Sequence, residues 1–166
     1  MFFVESSVTS HMCPKCRGTL TYRDSRPRIR KHEGGGRDFI IIRRFCCENC
    51  HSYHNELPDC LLPYKHYETE VISGVLDGVV TEHDEESEDF PSLPTIHRWL
   101  LWLKLNRFNI EGFLRNASCS IFRLGEDILF SKDSLLDAIR NQYQNWLEIV
   151  IRLVYNSGGS LVPISR

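Results

Sequence analysis

The spacing of apolar positions changes character along the chain. In the first third it is short and strand-like. Residues 19–22 (Thr-Leu-Thr-Tyr) and the run Phe39-Ile40-Ile41-Ile42-Arg43-Arg44-Phe45 are rich in β-branched and aromatic side chains, and Gly34-Gly35-Gly36 lies between them. That order predicts a β-hairpin. Asn55 to Pro63 follows, with Pro58 and Pro63 five positions apart, and reads as an extended connector.

From residue 64 the period becomes helical. Tyr64, Tyr67, Val71, Ile72, Val75 and Leu76 recur at three- and four-residue steps, with Pro63 before and Gly78 after, predicting a helix over 64–76. Ser92 can cap a second helix with Pro94 in its first turn. Ile96, Trp99, Leu100 and Leu103 share one face of it, while His97, Arg98, Leu101 and Lys104 point elsewhere. Residues 108–117 read as a short helical piece, and 120–125 as extended chain or a turn. The longest predicted helix is 132–156, where Leu135, Leu136, Ile139, Tyr143, Trp146, Leu147, Val150, Ile151 and Val154 form one stripe that Ser157-Gly158-Gly159 terminates. Such a stripe must be covered, by the Trp99/Trp102/Leu103 helix, by a second copy in a homodimer through this C-terminal helix, or by both.

Seven cysteines add the chemistry. Cys13-Pro14-Lys15-Cys16 and Cys47-Glu48-Asn49-Cys50 are two C-x2-C pairs with thirty residues between them. A tight turn sets two thiolates on one side, about 2.3 Å from a shared zinc ion, and two such turns complete a tetrahedron. Cys13, Cys16, Cys47 and Cys50 are therefore the expected ligands of one structural zinc ion. Four thiolates leave no position for water, which argues against zinc catalysis. Cys46, His51 and His54 are alternative ligands. Cys60 and Cys119 have no partner at motif spacing and read as small buried hydrophobes.

The formal net charge of −2 hides three regions. Residues 1–66 carry 11 Lys/Arg against 7 Asp/Glu, residues 67–92 none against 9, and residues 93–166 carry 9 against 6. The basic side chains of the first region include Arg26, Arg28, Arg30 and Lys31 near the hairpin tip, placed to track phosphates. The acidic stretch at 82–89 lacks a rigid element to hold paired carboxylates for catalysis. No nuclease or deaminase pattern is evident, so no enzyme activity is expected. No apolar run approaches the roughly 20 residues of a membrane span, and no secretory signal opens the chain. A cytoplasmic protein is the expectation.

The blocks Cys13-Pro14-Lys15-Cys16 with Gly18, Arg43-Arg44-Phe45-Cys46-Cys47-Glu48-Asn49-Cys50, Leu57-Pro58-Asp59, Leu61-Leu62-Pro63-Tyr64-Lys65-His66-Tyr67 and Pro94-Thr95-Ile96-His97-Arg98-Trp99 together resemble a bacterial family of unknown function. Its members look like the amino-terminal zinc-ribbon plus helix-turn-helix part of insertion-element transposases, without the nuclease domain. The resemblance covers about residues 10–105. It implies double-stranded DNA binding, with Thr95, His97 and Arg98 at the groove-facing start of the second helix. Two features depart from the pattern: His51 stands where a knuckle glycine is common, and the acidic insert replaces a short turn.

The fold class expected is α+β, a small zinc-ribbon hairpin domain over 1–62 followed by a mainly helical part. That part divides into a helix-turn-helix-like pair at 63–106 with an acidic insert at 81–90, and a helical C-terminal region at 107–166. The function expected is non-enzymatic, zinc-dependent DNA binding of transposase-related or mobile-element type. The alternative is a protein-interaction or inhibitor module, phage- or mobile-element-borne, that uses the acidic surface at 82–89.

Overall fold

The central strand of the amino-terminal sheet is the β-branched run seen in the sequence. In the computed structural model, which describes residues 2–3, 11–32, 35–81, 91–120 and 132–163, β1 is Phe2–Phe3, β2 is Leu20–Lys31, β3 is Arg37–Cys47 and β4 is Tyr53–Asn55. β2 pairs antiparallel with β3 along its whole length, from Leu20 opposite Cys47 to Lys31 opposite Arg37, with a register slip between Tyr22 and Asp24. β4 pairs antiparallel with the end of β3, and β1 pairs parallel with Ile40 and Ile41.

The hairpin is longer than its apolar pattern predicts. β2 extends to Lys31 instead of ending near Tyr22, through a run in which arginines alternate with other residues. Two features make that possible. β2 is an outer strand, so the N–H that Pro27 lacks interrupts no ladder on its other side. The charges are also matched, because Asp24 faces Arg44 and Arg30 faces Asp38.

One face of the hairpin is covered by its own connector. Ile40 and Ile42 are buried with Leu61, and Leu57 and Cys60 pack against them. Cys60 thus takes the small-hydrophobe role its isolation suggests. Burial raises its thiol above the ordinary value.

The first helix, α1 (Thr69–Leu76), is shorter than predicted. Residues 66–68 continue the sheet instead: Lys31 N–H donates to His66 O at 2.8 Å and Glu68 N–H donates to Lys31 O at 3.0 Å. The helix begins where Thr69 donates its N–H to Cys60 O and its hydroxyl to Asp59 O. It ends at Gly78, whose φ of +72° is the left-handed conformation expected of a glycine just past a helix.

Residues 93–120 form one helix, α2 (Leu93–Ser120), where the sequence pattern suggested two pieces. Ile96, Trp99, Trp102, Leu103, Ile110, Leu114 and Ala117 are all buried, so a single face continues past residue 104. Conversely, the predicted 132–156 helix is two helices, α3 (Leu135–Gln142) and α4 (Trp146–Asn156). The break is at Tyr143, whose backbone is extended (φ −125°, ψ 128°), within the polar stretch Asn141-Gln142-Tyr143-Gln144-Asn145. That stretch holds weak helix formers and side chains that compete for backbone hydrogen bonds. Ser134 caps α3 by accepting from Asp137 N–H at 3.0 Å, and the Glu111 carboxylate accepts from Leu135 N–H and Leu136 N–H, each at 3.1 Å. An anion at a helix N-terminus is favourable there.

Among the described residues the chain separates into two compact units, one up to Val71 and one from Ile72, with the boundary inside α1. Within the second unit α2, α3 and α4 pack together, and the α4 stripe Trp146, Leu147, Val150, Ile151 and Val154 is buried in that core. The end of α1 is tied into the same core. Arg140 donates to Asp77 and Leu76 O, and Trp146 Nε1–H donates to Asp77 Oδ2 at 2.9 Å.

Candidate metal centre

Each cysteine pair sits in a turn of the same design. Cys13 N–H donates to Gly18 O at 2.8 Å and Arg17 N–H to Cys13 O at 2.9 Å; Cys47 N–H donates to Ser52 O at 3.0 Å and His51 N–H to Cys47 O at 3.1 Å. The residue after the second cysteine is left-handed in both, with φ of +62° at Arg17 and +55° at His51. His51 therefore occupies the knuckle-glycine position as a conformational substitute, and histidine is among the side chains that tolerate it better. Gly18 closes the first turn because a Cβ there would meet the Asn49 side chain at 2.8 Å.

The two turns face each other and bring together all four predicted sulfurs. The Sγ atoms of Cys13, Cys16, Cys47 and Cys50 lie within 4.8 Å of one another, with Cys13 to Cys50 at 3.7 Å and Cys16 to Cys47 at 3.5 Å. Four sulfurs each about 2.3 Å from one ion at tetrahedral angles stand roughly 3.8 Å apart, so the cluster has the size of a tetrahedral metal shell. It could hold a metal ion. The separations far exceed a disulfide bond, and all four cysteines are thiols.

The alternative ligands fall outside this shell. Cys46 and Cys47 are neighbours at the end of β3, and successive strand residues point to opposite faces, so only one can reach the site. That one is Cys47; Cys46 stands opposite Thr21 and Tyr53. His54 comes closest, with Nε2 3.3 Å from Cys13 Sγ. Burial, with Lys15 nearby, lowers its pKa and favours the neutral ring, which can give Nε2–H to the Cys13 sulfur as a supporting donor. Strand alternation and its antiparallel place opposite Phe45 could have identified this role in the sequence.

The thiols are electrostatically unequal. Ser52 donates from its hydroxyl and backbone to Cys50 and brings its pKa down to about 6. Gly18 N–H favours the Cys16 thiolate, but hydrogen bonds with Cys47 and Cys50 outweigh it and push Cys16 up to about 12. Four sulfurs this close cannot all ionise without a cation among them. With the folded Cys50 pKa below its ordinary 9.0, Cys50 is a thiolate from about pH 6 upward, while Cys16 stays protonated through neutral pH.

The predicted DNA-contacting side chains divide into two groups. Arg26, Arg28 and Arg30 project from the hairpin face that the connector covers, since they stand opposite Ile42, Ile40 and Asp38. Arg28 donates to Leu62 O at 2.9 Å and Lys65 O at 2.8 Å, its Nε is buried without a partner, and burial lowers its pKa. Arg30 forms a bidentate pair with Asp38 and reaches Glu68 at 3.4 Å. Lys31 lies 4.7 Å from the centre of the Tyr67 ring. These three side chains hold the connector to the hairpin, and Arg26 alone of the four is exposed.

Arg28→Ala should accordingly cost about 1–3 kcal/mol of stability by leaving two carbonyls without their donor, whereas Arg26→Ala should change it by less than about 0.5 kcal/mol. Thermal unfolding of metal-loaded protein measures both. Equal, small effects would contradict the structural role of Arg28.

Thr95, His97 and Arg98 do lie at the start of α2, with His97 and Arg98 exposed. Arg98 folds back along the first turn, donating to Pro94 O at 3.1 Å and Thr95 Oγ1 at 2.9 Å. α1 and α2 are separated by residues 77–92, a connection longer than a tight turn, in keeping with the acidic insert expected from the sequence. The acidic segment 82–89 and the predicted piece at 121–125 lie outside the described residues, as does the side chain of Cys119. No described helix is long and apolar enough to cross a membrane.

Comparison with known families gives a match from the first ligand cysteine to the first turns of α2. A family of domains of unknown function, DUF6431, matches residues 13–99, more than half the chain. The chain belongs to this family. The matched span contains both cysteine pairs, the connector and α1. No curated protein and no solved structure matches the chain.

Proposed function

We propose that this DUF6431 member is a non-enzymatic DNA-binding protein organised by one structural zinc ion, of the transposase-related, mobile-element kind its sequence resembles. The observation that carries the reading is the closed four-sulfur centre with exposed cations around it. Four soft thiolates at tetrahedral spacing suit zinc, and they leave no open coordination position for a substrate or an activated water. The shell therefore supports shape instead of chemistry.

Lys15 and Arg17 are exposed in and just after the first knuckle, and Arg23 and Arg26 are exposed on the outer strand β2. A duplex contacted through phosphates by four such side chains loses about a hundredfold in affinity between 50 and 200 mM salt. His97 and Arg98 would add contacts from the start of α2.

Titration of random-sequence duplex DNA at those two salt concentrations tests the reading. Wild type should bind with the stated salt dependence, and the pair Arg17→Ala/Arg26→Ala should bind more weakly with a shallower slope. An unchanged Arg98→Ala variant would remove the helix from the interface. No binding by wild type at low salt would overturn the proposal.

A further inference from the structure

Helix α2 is apolar on two opposite sides. Its inward face carries the buried residues already described, yet its outward midline is also apolar: Leu101 is 46% exposed, Leu105 56% and Phe108 88%. A surface helix ordinarily carries polar side chains there. Gly112 continues the line with open space around it. The steps from 101 to 105, 108 and 112 are four, three and four residues, the spacing of a coiled-coil seam.

From this seam we infer that α2 pairs with α2 of a second copy of the chain, antiparallel, about a two-fold axis level with Leu103. Two features select a second copy. The seam is complementary to itself: antiparallel pairing at that level sets Leu101 of each copy against Leu105 of the other. Phe108 then meets Arg98, whose guanidinium is held along the first turn by Pro94 O and Thr95 Oγ1 and can lie over the ring.

The area is the second feature. Leu101, Leu105 and Phe108 together expose on the order of 350 Å² of apolar surface per chain, most of the apolar share of a standard interface of roughly 800 Å² per partner. Lys104 flanks the seam at a rim position where water can solvate it. The C-terminal stripe, the other surface considered for a homodimer, is buried in the core of its own chain.

Sedimentation equilibrium on the full metal-loaded chain tests the inference. Wild type at micromolar concentration should sediment at twice 19.4 kDa. Leu105→Glu, and separately Phe108→Ser, should weaken association at least about a hundredfold while leaving the circular dichroism spectrum unchanged, because both positions are exposed. The double variant Leu101→Lys/Leu105→Glu should restore the dimer, since opposite charges then face each other across the axis; a parallel pair would set like charges together. A monomeric wild type, a dimer that survives Leu105→Glu, or a double variant that stays dissociated would each overturn the inference. The first of these would assign the seam to a partner of different chemistry.

Discussion

Replacing Cys47 by serine should abolish metal binding and unfold the ribbon, whereas replacing its neighbour Cys46 by serine should shift stability by less than about 1 kcal/mol. The two residues have the same chemistry and adjacent positions, so the contrast isolates geometry. Cys47 is buried with its sulfur 3.5 Å from that of Cys16, while Cys46 faces the other side of β3. The loss is large because the first unit has a small apolar core, whose large buried side chains are Ile40, Ile42, Phe45, Leu61, Leu62 and Val71, and because metal binding in comparably small sites supplies on the order of 10–16 kcal/mol of folding free energy. Metal content and far-ultraviolet circular dichroism of the two variants decide the matter. A folded, metal-loaded Cys47→Ser protein would show that the shell needs only three of its sulfurs.

The second large effect is expected at Asn106. This side chain is fully buried in the helical unit and uses all its main hydrogen-bonding capacity: Nδ2 donates to Trp102 O at 2.9 Å and to Val162 O at 3.1 Å, and Oδ1 accepts from Val162 N–H at 2.7 Å. The amide thus copies the backbone pairing of a strand and fastens residues 161–162 to the middle of α2. Leu161 is buried beside it. Asn106→Leu keeps the branching and the number of heavy atoms but is bulkier and strips both backbone groups of Val162 of their partner, so stability should fall by about 2–4 kcal/mol. Protection of the Val162 amide against hydrogen exchange should disappear in the same variant. A loss below about 1 kcal/mol with that protection retained would mean the terminal segment is held by packing alone.

The metal centre is almost fully legible in the sequence because its determinants are local. The C-x2-C turns need only their own few residues to aim two sulfurs, and the ambiguity between Cys46 and Cys47 yields to strand parity once β3 is placed. The charged half of β2 was harder. Arg28 and Arg30 read as phosphate-tracking cations near the tip because nothing in their own strand announces their partners, which are Asp38 across the hairpin and the carbonyls of Leu62 and Lys65 more than thirty residues on. Helix lengths failed for the opposite reason. The packing face of α2 runs unbroken past Asn106, a polar residue that looks like an interruption until its bonds to Val162 are seen. The stripe across 132–156 has the right period on both sides of Tyr143, yet the polar run around that residue lets the backbone extend and start a new helix. The length of the connection between α1 and α2, residues 77–92, was legible because the acidic insert is itself part of the sequence.

The central claim is that four sulfurs enclose one zinc ion and that this closure gives the first unit its shape. X-ray absorption at the zinc edge, on full-length protein purified under reducing conditions, tests it most directly. The account predicts one zinc per chain, surrounded by four sulfur neighbours at about 2.3 Å and no lighter atom in the first shell. A chain that folds without zinc, or a shell containing a nitrogen neighbour near 2.0–2.1 Å from His51 or His54, would contradict it.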